Sequence, residues 1–358
     1  MIAGRGQPNG DTVPVPDATL ADLDPVEVDR LIDRLKRRRG QVFSRFGTSE
    51  VFRMAGVCPR TGDDDQVTLA GLLALGVFPQ QFFPQLNVTF VSYPTVDGRP
   101  MRDGTRFLEN AALDGSIPTM VAELVEIVER SMTRRAVIRG AGREDVWEYP
   151  IEAIRELTVN AVMHRDYHPL AQGTQVRIEM YPDRLVFINP GGLYGTASAE
   201  ELPRGTITSS RNAVLARLLE DVEIPGTNRT VCENRGCGMR TILSELSTHQ
   251  MPPPILRSSG RMFIAELRRP SAADGDEGHR VGTSTDTGAD SVTTRGSSSA
   301  QEIRRALMNG PMSAADLQTL TGLSRSGVSK QLRALETDEE IIPTTKRHNP
   351  GVKWALIR

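Results

Sequence analysis

The sequence predicts a mixed α/β chain followed by a separate, small helical domain. Three observations point there. Segments with helical and strand periodicity alternate from residue 20 to residue 269. Residues 271–300 then hold 16 Gly, Ser and Thr among 30, with only Val281 and Val292 as large aliphatics. Helical periodicity returns over 301–358. A length of 358 residues is enough for two or three domains.

The formal net charge of −2 excludes a chain that binds polyanions by its overall charge, so any nucleic-acid surface must be local. No apolar run approaches the roughly 18 residues of a membrane-spanning helix. The N-terminal residues show no apolar core of a signal peptide. Cys58, Cys232 and Cys237 are odd in number and form no Cys-x-x-Cys pair, which points to the reducing cytoplasm.

Residues 1–19 are rich in Gly, Pro and Asp and predict a flexible tail. A small α/β region is expected over 20–104. Asp24 is placed to cap a helix with Pro25 in its first turn, and the basic residues at 36–39 suit the negative end of its dipole. Residues 67–78 predict an apolar helix and 86–93 a strand. The main domain is expected over 105–269, with an amphipathic helix at 117–133 and another at 151–164. The alternation at 174–181 and the run 184–189, joined by Pro182-Asp183, predict a hairpin. Helices over 211–220 and 238–247 and a strand at 261–268 complete it. Residues 270–300 cannot bury enough apolar surface to offset their ordering entropy and predict a disordered linker.

Glu156, Asn160 and His164 are spaced by four and share one face of the 151–164 helix. A carboxylate and an amide so spaced can order water and hold a hard cation through oxygen. The same stripe would also suit the solvent face of a surface helix. Asn189-Pro190-Gly191-Gly192 forms a Gly-bearing turn at a strand end, and Gly236-x-Gly238-Met239 opens a helix. Glycines there let backbone N–H groups approach phosphate at the positive end of the dipole; a plain helix-capping turn has the same signature. His164-Arg165-Asp166 mimics a kinase catalytic loop, but Ala171 stands where that loop needs Asn, and no D-F-G or A-P-E follows.

Residues 301–358 predict a winged helix-turn-helix. Ile303 and Leu307 mark one helix, and Ser313 caps a second carrying Leu317 and Leu320. Thr321-Gly322-Leu323-Ser324 forms the turn, and Ser324 caps a third helix over 325–336. Strands at 341–345 and 353–357 form the wing. Nine basic residues face six acidic ones here, clustered on the third helix and wing. Arg325, Ser326, Ser329, Lys330 and Arg333 fall on the outward face, suited to a major groove, and Lys346, Arg347 and Lys353 suit phosphates. A protein-docking role fits the same pattern. One such domain buries little area on DNA, so tight binding to double-stranded DNA implies a homodimer.

The ordered set in the middle of the chain resembles the GHKL ATP-binding superfamily of gyrase B, histidine kinases and MutL. Closer still, REL-x-x-NA-x-x-HRDY, DR-x-x-x-x-NPGGL, SSRN-x-x-LA and RGCGM resemble the RecG-like, Schlafen-AlbA-associated transcriptional regulators. The resemblance implies a GHKL-type α/β sandwich over 105–269 that binds ATP and Mg2+. By position, Glu156 matches the glutamate that polarises the attacking water, and Asn160 the magnesium ligand. Asn189, Gly191 and Gly192 match the turn beneath the adenine; Gly236, Gly238 and Met239 match the phosphate-contacting glycine box. His164, Arg165 and Asp166 form a helix C-terminal cluster whose charges satisfy a turn, and the resemblance implies that His164 borders the nucleotide. Arg211 and Asn212 either reach phosphate or form an ordinary helix start. Two departures stand out. Asn189 replaces the usual Asp, and the AlbA-type half is missing or shortened to a remnant in 20–104. No helicase motif or Walker A lysine is present. The expected function is a nucleotide-sensing, DNA-binding transcriptional regulator; the alternative is a slow ATPase tethered by its winged helix.

Overall fold

The computed structural model describes residues 10–139, 142–195, 197–204, 209–233 and 236–269, then 303, 307, 311–321, 325–337, 341–344 and 353–356. The chain divides into two compact units, Met1–His279 and Arg280–Arg358.

The first unit opens with β1 (Pro14–Thr19), α1 (Pro25–Arg38), α2 (Gly40–Phe43), α3 (Thr48–Ala55), β2 (Gln66–Thr68) and α4 (Leu69–Leu75). Asp24 caps α1, its Oδ1 accepting from the backbone N–H of Val26 at 2.9 Å and of Glu27 at 3.3 Å. The helix expected at 67–78 starts only at Leu69, because residues 66–68 pair with β1. The Thr68 hydroxyl then caps α4 by accepting from Gly71 N at 3.0 Å.

Next come β3 (Val88–Ser92), β4 (Glu109–Leu113), α5 (Ile117–Ser131), the hairpin β5 (Arg134–Arg139) and β6 (Gly142–Trp147), and α6 (Ile151–His164). The unit closes with β7 (Val176–Met180), β8 (Arg184–Pro190), α7 (Ala213–Leu219), α8 (Gly238–Thr248), β9 (Ile255–Ser258) and β10 (Met262–Arg268). One six-stranded mixed sheet runs β4-β3-β7-β8-β10-β9. Only β3 and β7 run parallel. Val176, Ile178, Leu185, Phe187, Ala265 and Leu267 share a core with Leu124 and Val128 of α5 and Ile154, Leu157 and Val162 of α6. The period of two along β8 puts Asn189 on the same face as Leu185 and Phe187, at the strand's C-terminal end.

Two expected boundaries are corrected. Of the tail expected at 1–19, residues 10–19 take regular structure, a short 3-10 turn and β1. The buried Asp11 carboxylate accepts from Val214 N and Leu215 N at 2.9 Å each, capping α7 across the fold. The division at 104/105 falls inside the sheet, since β3 pairs with β4 on one side and β7 on the other. The division followed the extent of the resemblance, and pairing between these strands joins the two sides of it. Residues 1–9 and the linker at 270–300 lie outside the described residues.

In the second unit, β11 (Met312–Ser313), β12 (Ile341–Pro343) and β13 (Lys353–Leu356) form an antiparallel sheet in the order β11-β13-β12. It accompanies α9 (Ala314–Thr321) and α10 (Arg325–Thr337). Ile303, Leu307, Leu317, Val328, Leu332, Leu335, Ile341 and Trp354 make its core. Ser313 Oγ accepts from Asp316 N at 3.2 Å while Asp316 Oδ2 accepts from Ser313 N at 3.0 Å, a reciprocal cap. Arg325, Ser326, Ser329, Lys330 and Arg333 all fall on α10, where the Ser329 side chain is exposed, and Lys353 is exposed on β13. Ser324, Lys346 and Arg347 lie outside the described residues.

Candidate functional site

A cavity of about 830 Å³ lies in the first unit between α6, the end of β8, segments after β8 and α7, and the start of α8. That volume lies within the range of small-molecule sites. Glu156, Asn160 and His164 all line it. Their stripe therefore faces this cavity, while Ala153 and Ile154 are buried on the core side of α6.

Glu156 and Asn160 act as a pair. Asn160 Nδ2 donates to the Glu156 carbonyl at 2.7 Å and to its Oε1 at 3.2 Å. The backbone of Gly238, first residue of α8, is packed onto both side chains. A Cβ there would overlap Glu156 Oε1 and lie 3.1 Å from Asn160 Nδ2. Gly236, two residues earlier, takes φ +65°, a left-handed conformation that favours glycine. Glycine thus allows the positive end of α8 to approach a carboxylate and an amide. Burial raises the pKa of Glu156, while Arg155 and the Asn160 bond pull it down. Arg155 Nη2 stands 3.5 Å from Glu156 Oε2 and its Nε 3.1 Å from Glu152 Oε2.

At the other end of α6, burial and then the charge of Arg211 push His164 down to about 4, so its imidazole is neutral at pH 7. Asn189 is buried, lines the cavity, and its Oδ1 has no hydrogen-bond partner. Ser210 Oγ, in the same lining, is likewise buried and unpartnered. Gly192 lines the cavity beside them, whereas Gly191, at φ +93°, does not. Gly191 sits against Asp166, where an added Cβ would come within 2.7 Å of the Asp166 Cβ.

Arg211 and Asn212, expected near phosphate, do not line the cavity. Buried Arg211 pairs with Asp166 Oδ2 at 2.8 Å and donates to the Gly192 carbonyl at 2.8 Å. Asn212 donates to the carbonyls of Met163 at 2.8 Å and Arg165 at 2.9 Å. Both tie the start of α7 to the end of α6, because those carbonyls lack helical partners. Arg165 is itself buried and donates to the carbonyls of Ala171 and Thr174. Gly236, Gly238 and Met239 also line the cavity.

The sequence reading missed Arg34 and Arg38, which line the cavity from α1, and Arg229. Arg34 pairs with Glu223, and Arg38 with Asp221 at 2.9 Å. The basic run at 36–39 was the available signal, explained by the helix dipole alone.

Residues 173–267 match the protein-family model HATPase_c_4, described as "Putative ATP-dependent DNA helicase recG C-terminal". The matched stretch covers β7 to β10 with both glycine turns, and begins after α6. No curated protein matches the chain. Among solved structures, the DIP2311 protein from Corynebacterium diphtheriae is similar, with a TM-score of 0.53 and 15% identity over 97% of this chain. The chain spans 64% of that structure's length, and at this identity the likeness is one of fold. The fold is that of a mixed α/β protein, and residues 173–267 within it are similar to an ATPase-type domain. Within that class the domain is similar to the RecG C-terminal type.

Proposed function

We propose that the first unit binds ATP with magnesium, and that the chain is a nucleotide-responsive, DNA-binding regulator whose 301–358 domain is a winged helix. The observation that carries this reading is the packing of Gly238 onto Glu156 and Asn160 in the cavity that also holds the unpartnered Asn189 Oδ1. These groups fit the components of a nucleotide. Asn189 Oδ1 accepts from the base. The free N–H groups opening α8 receive phosphate oxygens. Asn160, its Nδ2 already committed to Glu156, presents Oδ1 to a cation. Bound magnesium offsets phosphate charge.

The raised pKa of Glu156 favours a second reading, in which the site also turns ATP over slowly. A carboxylate of raised basicity can accept a proton from an attacking water. Glu156→Ala would then abolish phosphate release and leave binding largely intact; rapid turnover by the wild type would favour a dedicated ATPase.

MgATP titration of the full chain tests the primary reading. Asn160→Ala should weaken magnesium-dependent binding at least tenfold, and unchanged affinity refutes the assignment. For DNA, the exposed Ser329 and Lys353 and the placement of Arg325 and Arg333 on α10 support a major-groove helix with a phosphate-contacting wing. Arg333→Ala should cost about 1–3 kcal/mol in binding to a selected site if it contacts guanine. The full chain retarding neither random nor selected duplex at low salt would remove the regulator reading.

A further inference from the structure

We infer that the base end of this cavity accepts 6-oxo as well as 6-amino purines, so that GTP is taken alongside ATP; the inference rests on the nucleotide reading above. Three uncharged polar groups serve that end: the Asn189 amide, the Ser210 hydroxyl and the His164 imidazole, all in the cavity lining. Arg211 relates each of them to one point in the fold. Ser210 precedes it in the chain, His164 feels its charge, and its guanidinium binds the Gly192 carbonyl three residues after Asn189. Glu156 is set apart from them: it precedes His164 by eight residues of α6, about 12 Å along the axis.

None of the three groups has a fixed hydrogen-bonding polarity. An amide carries one acceptor oxygen and a donor NH2, a hydroxyl does both, and a neutral imidazole has one nitrogen of each kind. Two of them, Asn189 Oδ1 and Ser210 Oγ, are buried without partners. The Asn189 amide can accept from the adenine 6-amino group while donating to N1. Turned by half a revolution about its last bond, it donates to guanine O6 and accepts from N1–H. Ser210 or His164 can then accept from the guanine 2-amino group. Ala161, Phe187 and Phe263, also in the lining, are apolar and indifferent to the base edge. Sites that reject a close analogue by large factors do so by leaving a group of fixed polarity unpaired. A carboxylate at 189 would offer acceptors only and repel O6. The amide imposes no such penalty on either base.

The test is equilibrium binding of MgATP and MgGTP to the full wild-type chain, repeated with Asn189→Ala and Ser210→Ala. The expected dissociation constants for the two purines lie within tenfold of each other, and Asn189→Ala weakens both by a similar factor. A hundredfold or larger preference for either purine overturns the inference and leaves the nucleotide reading standing. Loss of only one purine's affinity in Asn189→Ala also overturns it. Binding of neither purine by the wild type removes the underlying reading instead. The wild-type comparison decides the matter even where a variant fails to fold, and Ser210→Ala, which removes an acceptor for the guanine 2-amino group, should weaken GTP severalfold while leaving ATP nearly unchanged.

Discussion

Gly238 lies against Glu156 so closely that a methyl group on its Cα would occupy the space of the Glu156 Oε1 atom. The two residues are 82 positions apart and meet at the junction of α6 and α8. The obstructed atom ends a flexible side chain, and alanine in the first turn of a helix is favourable by about 0.5–1 kcal/mol over glycine. Gly238→Ala should therefore keep its stability to within about 1 kcal/mol, but displace the carboxylate and weaken MgATP binding at least tenfold. Denaturant melts and nucleotide titrations on the same preparation separate these effects.

Gly192 presents the opposite case. A Cβ there would overlap the backbone carbonyl of Ser259, which has no rotamer into which to retreat. Gly192→Ala should cost about 1–3 kcal/mol, as for other overpacked sites, measured as a shift in urea midpoint. Arg211→Ala strikes the same junction. It leaves the partly exposed Asp166 carboxylate without its 2.8 Å partner and should cost about 1–3 kcal/mol.

His164 and Glu156 give opposite pH dependence. The His164 pKa falls from 6.5 to about 4 on folding, so the unfolded chain binds more protons between those values. Its contribution is full above pH 6.5 and is lost as pH falls toward 4. Glu156 is raised above 4.5, so its contribution is full below pH 4.5 and is lost as pH rises through the folded value. Between pH 4.5 and 6.5, His164→Gln should flatten the fall in stability on acidification, and Glu156→Gln should steepen it. Denaturation midpoints across that range provide the check; unchanged slopes in both variants would contradict the assigned shifts.

Asp11 joins the N-terminal segment to α7. Its carboxylate accepts from two backbone N–H groups at 2.9 Å. Asp11→Ala should cost about 1–2 kcal/mol, as for other helix caps, and Asp11→Asn, which keeps an acceptor, clearly less. Earlier proteolysis at the start of α7 in the alanine variant would place the loss locally.

Local spacing was enough for much of this protein. Positions 151–164 carry helical periodicity from a proline start to His164, and α6 has those ends because its caps and core residues fall within one window. Pro182-Asp183 determined the β7–β8 hairpin, since turn chemistry is local. The glycines at 192, 236 and 238 could be placed near the site because few other residues open a helix or end a strand in that way. Other features had no local signal. Residues 134–147 pair as β5 and β6 although their charges masked the strand pattern. β3 runs parallel to β7, some 88 positions later, a pairing set by shared burial that no sequence window contains. Arg211 looked like a phosphate ligand and became the support of Asp166 and Gly192, because the tertiary fold brought unpartnered carbonyls and a carboxylate to it first. Arg34 and Arg38 reached the cavity only because α1 packs beside the segment after α7. The sequence alone therefore determined which residues share a helix face or a turn. The tertiary structure decided which faces meet, because burial and hydrogen-bond satisfaction are settled over the whole unit at once.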